Sequence, residues 1–315
     1  MPSYYISGLT IRAEMEFPGQ ISDLSEPEGP ESEGAEPEVL VRLGPVPERL
    51  EAPTFRGPGW ELDARRFLLH LPGICRILAA DGRTLELEPA AGATLGDAMP
   101  FLLGTGIGAL LHQRDRMVLH AAAVTACGRA LLLCGPAGMG KSTLAAALCR
   151  AGCGFLGDDV AALATGPAGE PAVWSDGRQL KLFDDSIAHL ELEPRRRAMV
   201  RSGTGKHYVE PPLEPPAPAP GRPVPLAAIY ILQRQQPAMK CGIEPLPALK
   251  AAQALLDNTY RRRLLLAMGR PAAHVAMTAA LLSRVPVFRR VGSDTLERLG
   301  ESAAEILSHA RSLRR

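Results

Sequence analysis

Up to about residue 88 the apolar positions recur in short runs that alternate loosely with polar ones, the period of a half-buried strand. SYYISGLTIRAEM (3–15) predicts a strand or hairpin, and EVLVRL (38–43), FLLHL (67–71), CRILA (75–79) and TLELE (84–88) predict further strands. ADGR between the last two carries an Asp-Gly pair that favours a tight hairpin turn. From Asp97 to about Gln113 the period becomes helical, with Asp97 as the cap and Pro100 in the first turn, where a missing N–H costs little.

MVLHAAAVTA (117–126) and ALLLCG (130–135) predict two adjacent strands, the second apolar enough to be buried on both faces. KSTLAAALCRAG (141–152) is a helix pattern closed by Gly152, and GFLGDDVAALA (154–164) is a short buried strand running into two acids, in a parallel sheet. AVWSDGRQLKLF (172–183) predicts a hairpin turning at Asp176-Gly177, whereas 193–212 has no period and predicts a loop. LAAIYILQR (226–234) and VPVFRRV (285–291) predict strands; helices are predicted over roughly 248–268, 272–284 and 293–312. Two stretches stand outside this pattern. EPEGPESEGAEPE (26–38) predicts a solvated acidic loop, and PPLEPPAPAPGRPVP (211–225) is too rich in proline for helix or central strand.

Composition changes this picture little. With 46% hydrophobic and 22% charged residues, the 315-residue chain can build a sizeable core. A net charge of +1 gives no basic excess to suggest nucleic acid or an anionic membrane as a partner. No signal-peptide pattern opens the sequence and no run reaches the ~18 apolar residues of a membrane span, so a cytoplasmic protein is expected. Six cysteines without a CxxC pair suggest buried free thiols. Basic residues are nearly all arginine. The only lysines are Lys141, Lys181, Lys206, Lys240 and Lys250; a coding bias toward arginine accounts for the imbalance, and under it a remaining lysine is a weak pointer to a place that wants a compact ammonium.

The candidate chemistry starts at GPAGMGKST, which fits GxxxxGK[ST]. Gly135, Ala137, Gly138, Met139 and Gly140 let successive backbone N–H groups turn toward phosphate oxygens, at the positive end of the following helix. Lys141 reaches the β- and γ-phosphates, Ser142 ligates Mg²⁺, and Thr143 completes the motif. Asp158 and Asp159 close the next strand. Adjacent carboxylates on an extended chain point different ways, so one can face the metal and the other the attacking group, the two tasks of phosphoryl transfer. His120 lies on the neighbouring strand; read alone, it fits a core histidine better than a catalyst. Lys181 and Lys206 read alone as surface charges, and Arg195–Arg197 as a solvated run.

LHAAAV, GPAGMGKST and GFLGDDVAAL in this order and spacing resemble the catalytic core of the HPr kinase/phosphorylase family. They are more similar still to the HPr-kinase-like proteins of gene clusters for ribosomally made peptides, lasso-peptide kinases included. YYISGLTIRAE and LLHQRDRMVLHAAAV share in the likeness. The resemblance implies an α/β chain, with a P-loop domain of the HPr-kinase type, related to phosphoenolpyruvate carboxykinase, over 116–315 and a smaller β-rich domain over 1–115. It implies an ATP- and Mg²⁺-dependent kinase acting on a serine of a small protein or lasso-type precursor peptide. Asp158 is then the base, supported by His120; Lys141 and Mg²⁺ stabilise the transferred phosphoryl, Ser142 and Asp159 hold the metal, and Lys181 and Lys206 close over nucleotide or substrate. It also allows a homo-oligomer. Thr143 departs from the family, which usually carries Glu there, and an E-x-R-G-x-G-I segment is missing. Both departures speak against HPr as substrate and against reversal by phosphate. The residues leave open ATP against GTP, and two other readings: a non-catalytic nucleotide-binding regulator or chaperone of a peptide-maturation system, and a nucleotide hydrolase.

Overall fold

A computed structural model describes residues 1–19, 37–212, 222–237, 239–293 and 295–313. The acidic stretch 26–38, but for its last two residues, and the middle of the proline-rich stretch lie outside the described residues. The described residues form a mixed α/β protein with three sheets.

The first sheet uses β1 (Ser3–Ile6), β2 (Leu9–Ala13), β3 (Val39–Leu43), β4 (Phe55–Gly57), β5 (Trp60–Leu62), β6 (Arg66–Leu71), β7 (Cys75–Ala80) and β8 (Thr84–Pro89). Their order is β1-β2-β3-β8-β7-β6-β5-β4. The β7–β8 hairpin turns through Asp81 and Gly82, both at positive φ, as the Asp-Gly pair predicts. β4 and β5 have three residues each, too few to show a period in sequence.

The helical stretch differs from expectation. Thr94, not Asp97, caps α1 (Leu95–Phe101): its hydroxyl accepts from the Asp97 N–H at 3.2 Å, and Asp97 Oδ2 accepts from the hydroxyl at 2.6 Å. Pro100 therefore falls near the end of α1 and withholds a donor there. A π-helical turn, Leu102–Gly106, follows before α2 (Ile107–Gln113).

The second sheet contains β9 (Val118–Leu119), β10 (Ala121–Ala126), β11 (Arg129–Cys134), β12 (Gly154–Gly157), β13 (Ala161–Thr165) and β14 (Pro171–Val173), with α3 (Lys141–Arg150) between β11 and β12. The single strand predicted over 117–126 is two. The break falls at His120, whose N–H is bound by Asn258 O at 2.7 Å, and β9 and β10 go to different neighbours. β12 is not beside β11 in a parallel pair either; it lies antiparallel to β10, so the sheet is mixed.

The hairpin predicted over 172–183 does not form. β14 stays in the second sheet, and β15 (Leu180–Phe183) starts a third. Between them Asp176 and Arg178 are drawn inside, 1% and 2% exposed, to pair with each other. After α4 (Asp184–His189), the segment expected as loop supplies β16 (Arg196–Met199) and β17 (Lys206–Val209), giving the order β15-β17-β16. Of the residues that hid these strands, both glycines sit at the tip, 200–205, while Arg196 and Arg197 stand in β16 itself.

β18 (Val224–Arg234) pairs in parallel with β11, antiparallel with β14 at its start, and in parallel with β20 (Val287–Gly292) further on. Pro225 of the proline-rich stretch thus stands inside a central strand, where the expectation excluded it. β19 (Gly242–Pro245), unforeseen, edges β20. The helix predicted over 248–268 is two, α5 (Ala248–Asp257) and α6 (Arg262–Ala267). The chain between them bridges to β9, through Thr259 to Leu119 and the Tyr260 N–H to Val118 O. α7 (Pro271–Leu282) and α8 (Leu299–Ser312) complete the chain.

Apolar clusters cover both faces of the second sheet, one with α3 and α8, the other with α5 and α7. β11 is buried on both sides, as its sequence predicts. A third cluster joins the first sheet and α1–α2 to Val118, Val160, Ala162 and Tyr260. None of the six cysteines is in a disulfide; Cys75, Cys134, Cys149 and Cys153 are buried, and Cys127 and Cys241 exposed. No helix among the described residues is long and apolar enough to cross a membrane.

Candidate active site

β11, β18 and β20 are parallel, and β12 shares their direction because both it and β11 oppose β10. Their carboxyl ends therefore meet on one side, where ligands gather in such sheets. A cleft of about 460 Å³ opens there. Every residue expected in the site except Gly135 lines it.

The loop leaves β11 at Gly135, where φ is +151° and an added Cβ would come 3.1 Å from the Leu232 carbonyl oxygen. It enters α3 through Gly140 in the left-handed region, φ +73°. No side chain caps α3, so its first N–H groups and its positive end face the cleft. Lys141 is 7% exposed, and its ammonium donates to Gly135 O at 2.7 Å and Pro136 O at 3.1 Å. Burial pushes its pKa down, and Asp158, Cys134 and Asp159 offset only part of that.

The two aspartates face different partners. Asp158, buried, accepts from Ser142 Oγ at 2.8 Å and from the Lys181 N–H at 3.1 Å. Asp159 adopts φ +80°, which turns its carboxylate toward His120 Nδ1 at 3.1 Å and Lys181 Nζ at 3.4 Å. Burial raises the Asp159 pKa, but Lys181, His120 and Arg178 outweigh it and hold the group well below the usual carboxylate range. His120 Nδ1 also lies 3.0 Å from Asp159 O. Both neighbours are acceptors, which assigns a proton to Nδ1 of this side chain in the cleft lining.

Thr143 Oγ1 lies 3.2 Å from Ser186 Oγ. Lys206 stands across β17–β15 from Phe183, its ammonium 5.4 Å from the ring centroid. Arg195, Arg196 and Arg197 are not in the lining; Arg196 and Arg197 pair with Asp184, Glu193 and Glu210. Three of the five lysines line the cleft, while Lys240 and Lys250 are exposed elsewhere. Sequence reasoning missed Phe183, Asp185 and Ser186, which follow Lys181 in the chain, and the wall from Leu232 to Leu299. The carboxyl ends of β18 and β20 were the signal for that wall, but they become informative only once those strands are known to be parallel to β11.

The lining can hold anions on the loop and a small hard cation beside it. No group of three or more His, Cys, Asp or Glu side chains among the described residues is placed to hold a metal. Ser142 and Asp158 instead offer one hydroxyl and one carboxylate. That set fits Mg²⁺, which takes few protein ligands and fills its shell with water and phosphate oxygens.

No family model and no curated protein matches the chain. Among solved structures it is similar to the HPr(Ser) kinase/phosphatase of Coxiella burnetii, at 12% identity and a TM-score of 0.34, over 62% of this chain and 91% of that one. So loose a superposition carries over neither a fold nor a role for any residue.

Proposed function

We propose that the chain is an ATP- and Mg²⁺-dependent phosphotransferase of the HPr-kinase-like kind. It would transfer the γ-phosphoryl group to a serine hydroxyl of a small protein or ribosomally made, lasso-type precursor peptide in the cytoplasm. The observation that carries the reading is the bond between Ser142, the hydroxyl of the phosphate loop, and Asp158, with Asp159, His120 and Lys181 beside it. The nature of the acceptor rests on the sequence resemblance alone.

For the aspartates the geometry supports the reverse of the sequence expectation. Asp158 and Ser142 would hold Mg²⁺, which would supply charge neutralisation at the phosphates. Asp159, kept ionised and oriented by His120 and Lys181, accepts a hydrogen bond from the acceptor's hydroxyl and takes its proton only as that oxygen bonds to phosphorus. The serine oxygen then forms its bond to the γ-phosphorus as the bond to the β–γ bridging oxygen breaks, and ADP leaves. The loop N–H groups hold the phosphates. Lys141, now on the loop carbonyls, would release them to meet the phosphates.

The test is transfer of label from γ-labelled ATP to serine-containing peptides and to HPr, with wild type, Asp158→Asn and Asp159→Asn. Asp159→Asn is expected to lower kcat by about a hundredfold or more at unchanged Mg²⁺ requirement. Asp158→Asn is expected to raise the Mg²⁺ concentration needed for half-maximal rate. The opposite pattern would restore Asp158 as the base. ATP binding with no transfer to any acceptor would point to a non-catalytic module instead.

A further inference from the structure

The cleft extends to both sides of the phosphate loop, and only one side has been given a task. On the β12 side stand Asp158, Asp159, His120 and Lys181. On the other, the ends of β18 and β20 and the segment running into α8 form a second wall, with Gln233, Gly292, Ser293, Leu296 and Leu299 in its lining. If the reacting phosphorus sits beside Ser142 and Asp158, the remainder of the nucleotide must leave the loop on the side away from the aspartates. We infer that this β18–β20–α8 arm is the nucleoside subsite, with Met139 and Leu296 as the apolar faces that receive the base. The inference rests on the phosphotransferase reading.

Three features suit the arm to this task. Met139 and Leu296 are both half-buried, packed on the core that also holds Leu299, so they offer flat apolar surface without leaving their own seats. Gln233 and Ser293 bring a carboxamide and a hydroxyl, groups that donate or accept and can meet the edge of a base or a ribose. The wall is also braced by side chains of the cleft lining itself. Arg290, 8% exposed, donates to Ser302 Oγ at 2.7 Å and Glu305 Oε2 at 3.1 Å, which fastens the end of β20 to α8. An added Cβ at Gly292 would lie 2.4 Å from the Arg290 guanidinium, so a side chain there would unseat the brace. A ligand binding here meets a fixed surface, and little of the affinity is lost to ordering the wall.

Leu296→Ala and Leu296→Trp test this, using ATP and inorganic tripolyphosphate as paired probes in the presence of Mg²⁺. Tripolyphosphate reports the phosphate loop alone, and ATP the loop and the arm. Leu296→Ala is expected to weaken ATP binding five- to tenfold and leave tripolyphosphate within twofold. Leu296→Trp is expected to change its tryptophan emission with ATP and not with tripolyphosphate; the native Trp60 and Trp174 lie outside the cleft lining. Equal loss of both ligands in the alanine variant would overturn the inference, because Leu296 would then only support the loop. Unchanged ATP affinity in Leu296→Ala, or silent emission in Leu296→Trp while ATP binds, would overturn it as well. A wild-type chain that binds neither probe would sink the phosphotransferase reading itself, a result distinguishable from the others.

Discussion

Asp159 holds a left-handed backbone at φ +80°, a conformation that costs an ordinary residue about 1–3 kcal/mol and that Asp and Asn tolerate best. That turn separates two consecutive carboxylates, one onto Ser142 and one onto His120 and Lys181. Asn at 159 keeps the backbone and removes the charge, which is why it is the substitution chosen above. A second residue, away from the chemistry, sets a pH limit. His112 is 1% exposed, its Nε2–H donates to Tyr260 O at 2.7 Å, and its Nδ1 has no partner among the described residues. Burial pushes its pKa below the ordinary value of 6.5, and that of His274 likewise. Such groups bind fewer protons folded than unfolded. Their contribution to stability is therefore complete above about pH 6.5 and is lost as pH falls below it. Urea unfolding at pH 7.5 and 5.5 should show lower stability at the acid value, with a smaller drop in His112→Gln, which keeps a donor for Tyr260 O. An equal drop in both would place the acid sensitivity elsewhere.

Elements here are shaped by close approaches that periodicity does not encode. The π-turn and α2 pass against Tyr260, and an added Cβ at Gly108 would stand 2.6 Å from its ring. Tyr260 in turn lies 6.1 Å, centroid to centroid, from His120. Gly108→Ala should cost about 1–3 kcal/mol by overpacking, whereas Gly300→Ala in α8, with nothing within 4 Å, should stabilise by roughly 0.5–1 kcal/mol. Chemical denaturation of the two variants separates packing from helix propensity. The same principle explains which elements were legible. β11, α3 and the loop between them are written in apolar runs and fixed-offset glycines, and the β7–β8 turn in its Asp-Gly. The break at His120 and the split between α5 and α6 arise from one tertiary bridge, Leu119 to Thr259, which no local pattern announces. Lysine scarcity singled out Lys181 and Lys206 before β15 and β17 brought them together, whereas β16 and β17 themselves were masked by Arg and Gly.

At the scale of the molecule, one buried network ties the first half of the chain to the second. Asp176 accepts from Arg178 through both oxygens and from Ser7 Oγ in the β1–β2 turn, and Arg178 Nη1 donates to Leu103 O in the π-turn. Replacing Arg178 with Met leaves Asp176 buried without its counter-charge. It should cost about 3–5 kcal/mol, against about 1 kcal/mol for Ser7→Ala, as read from urea midpoints at constant slope. Near-equal effects would mean that the ion pair adds little beyond its hydrogen bonds. The tip of the β16–β17 hairpin reaches the same first half, with the Ser202 N–H donating to Asp97 Oδ1 and Arg201 over the Phe101 ring. The strands that carry Lys181 and Lys206 are thus anchored from outside the phosphate-loop sheet.

The ammonium of Lys141 rests on two carbonyls of its own loop, Gly135 O and Pro136 O. It closes a ring in which the side chain spans the turn that the backbone makes. A substitution at this position therefore subtracts a charge and, at the same time, a cross-brace. Failure of a Lys141→Ala variant to bind phosphate would be a compound result, with lost attraction and a collapsed contour indistinguishable in one number. Arginine at 141 keeps the charge but not the compact head, and ornithine introduced by chemical synthesis shortens the reach while keeping both. Comparing the three would divide what a single knockout adds together.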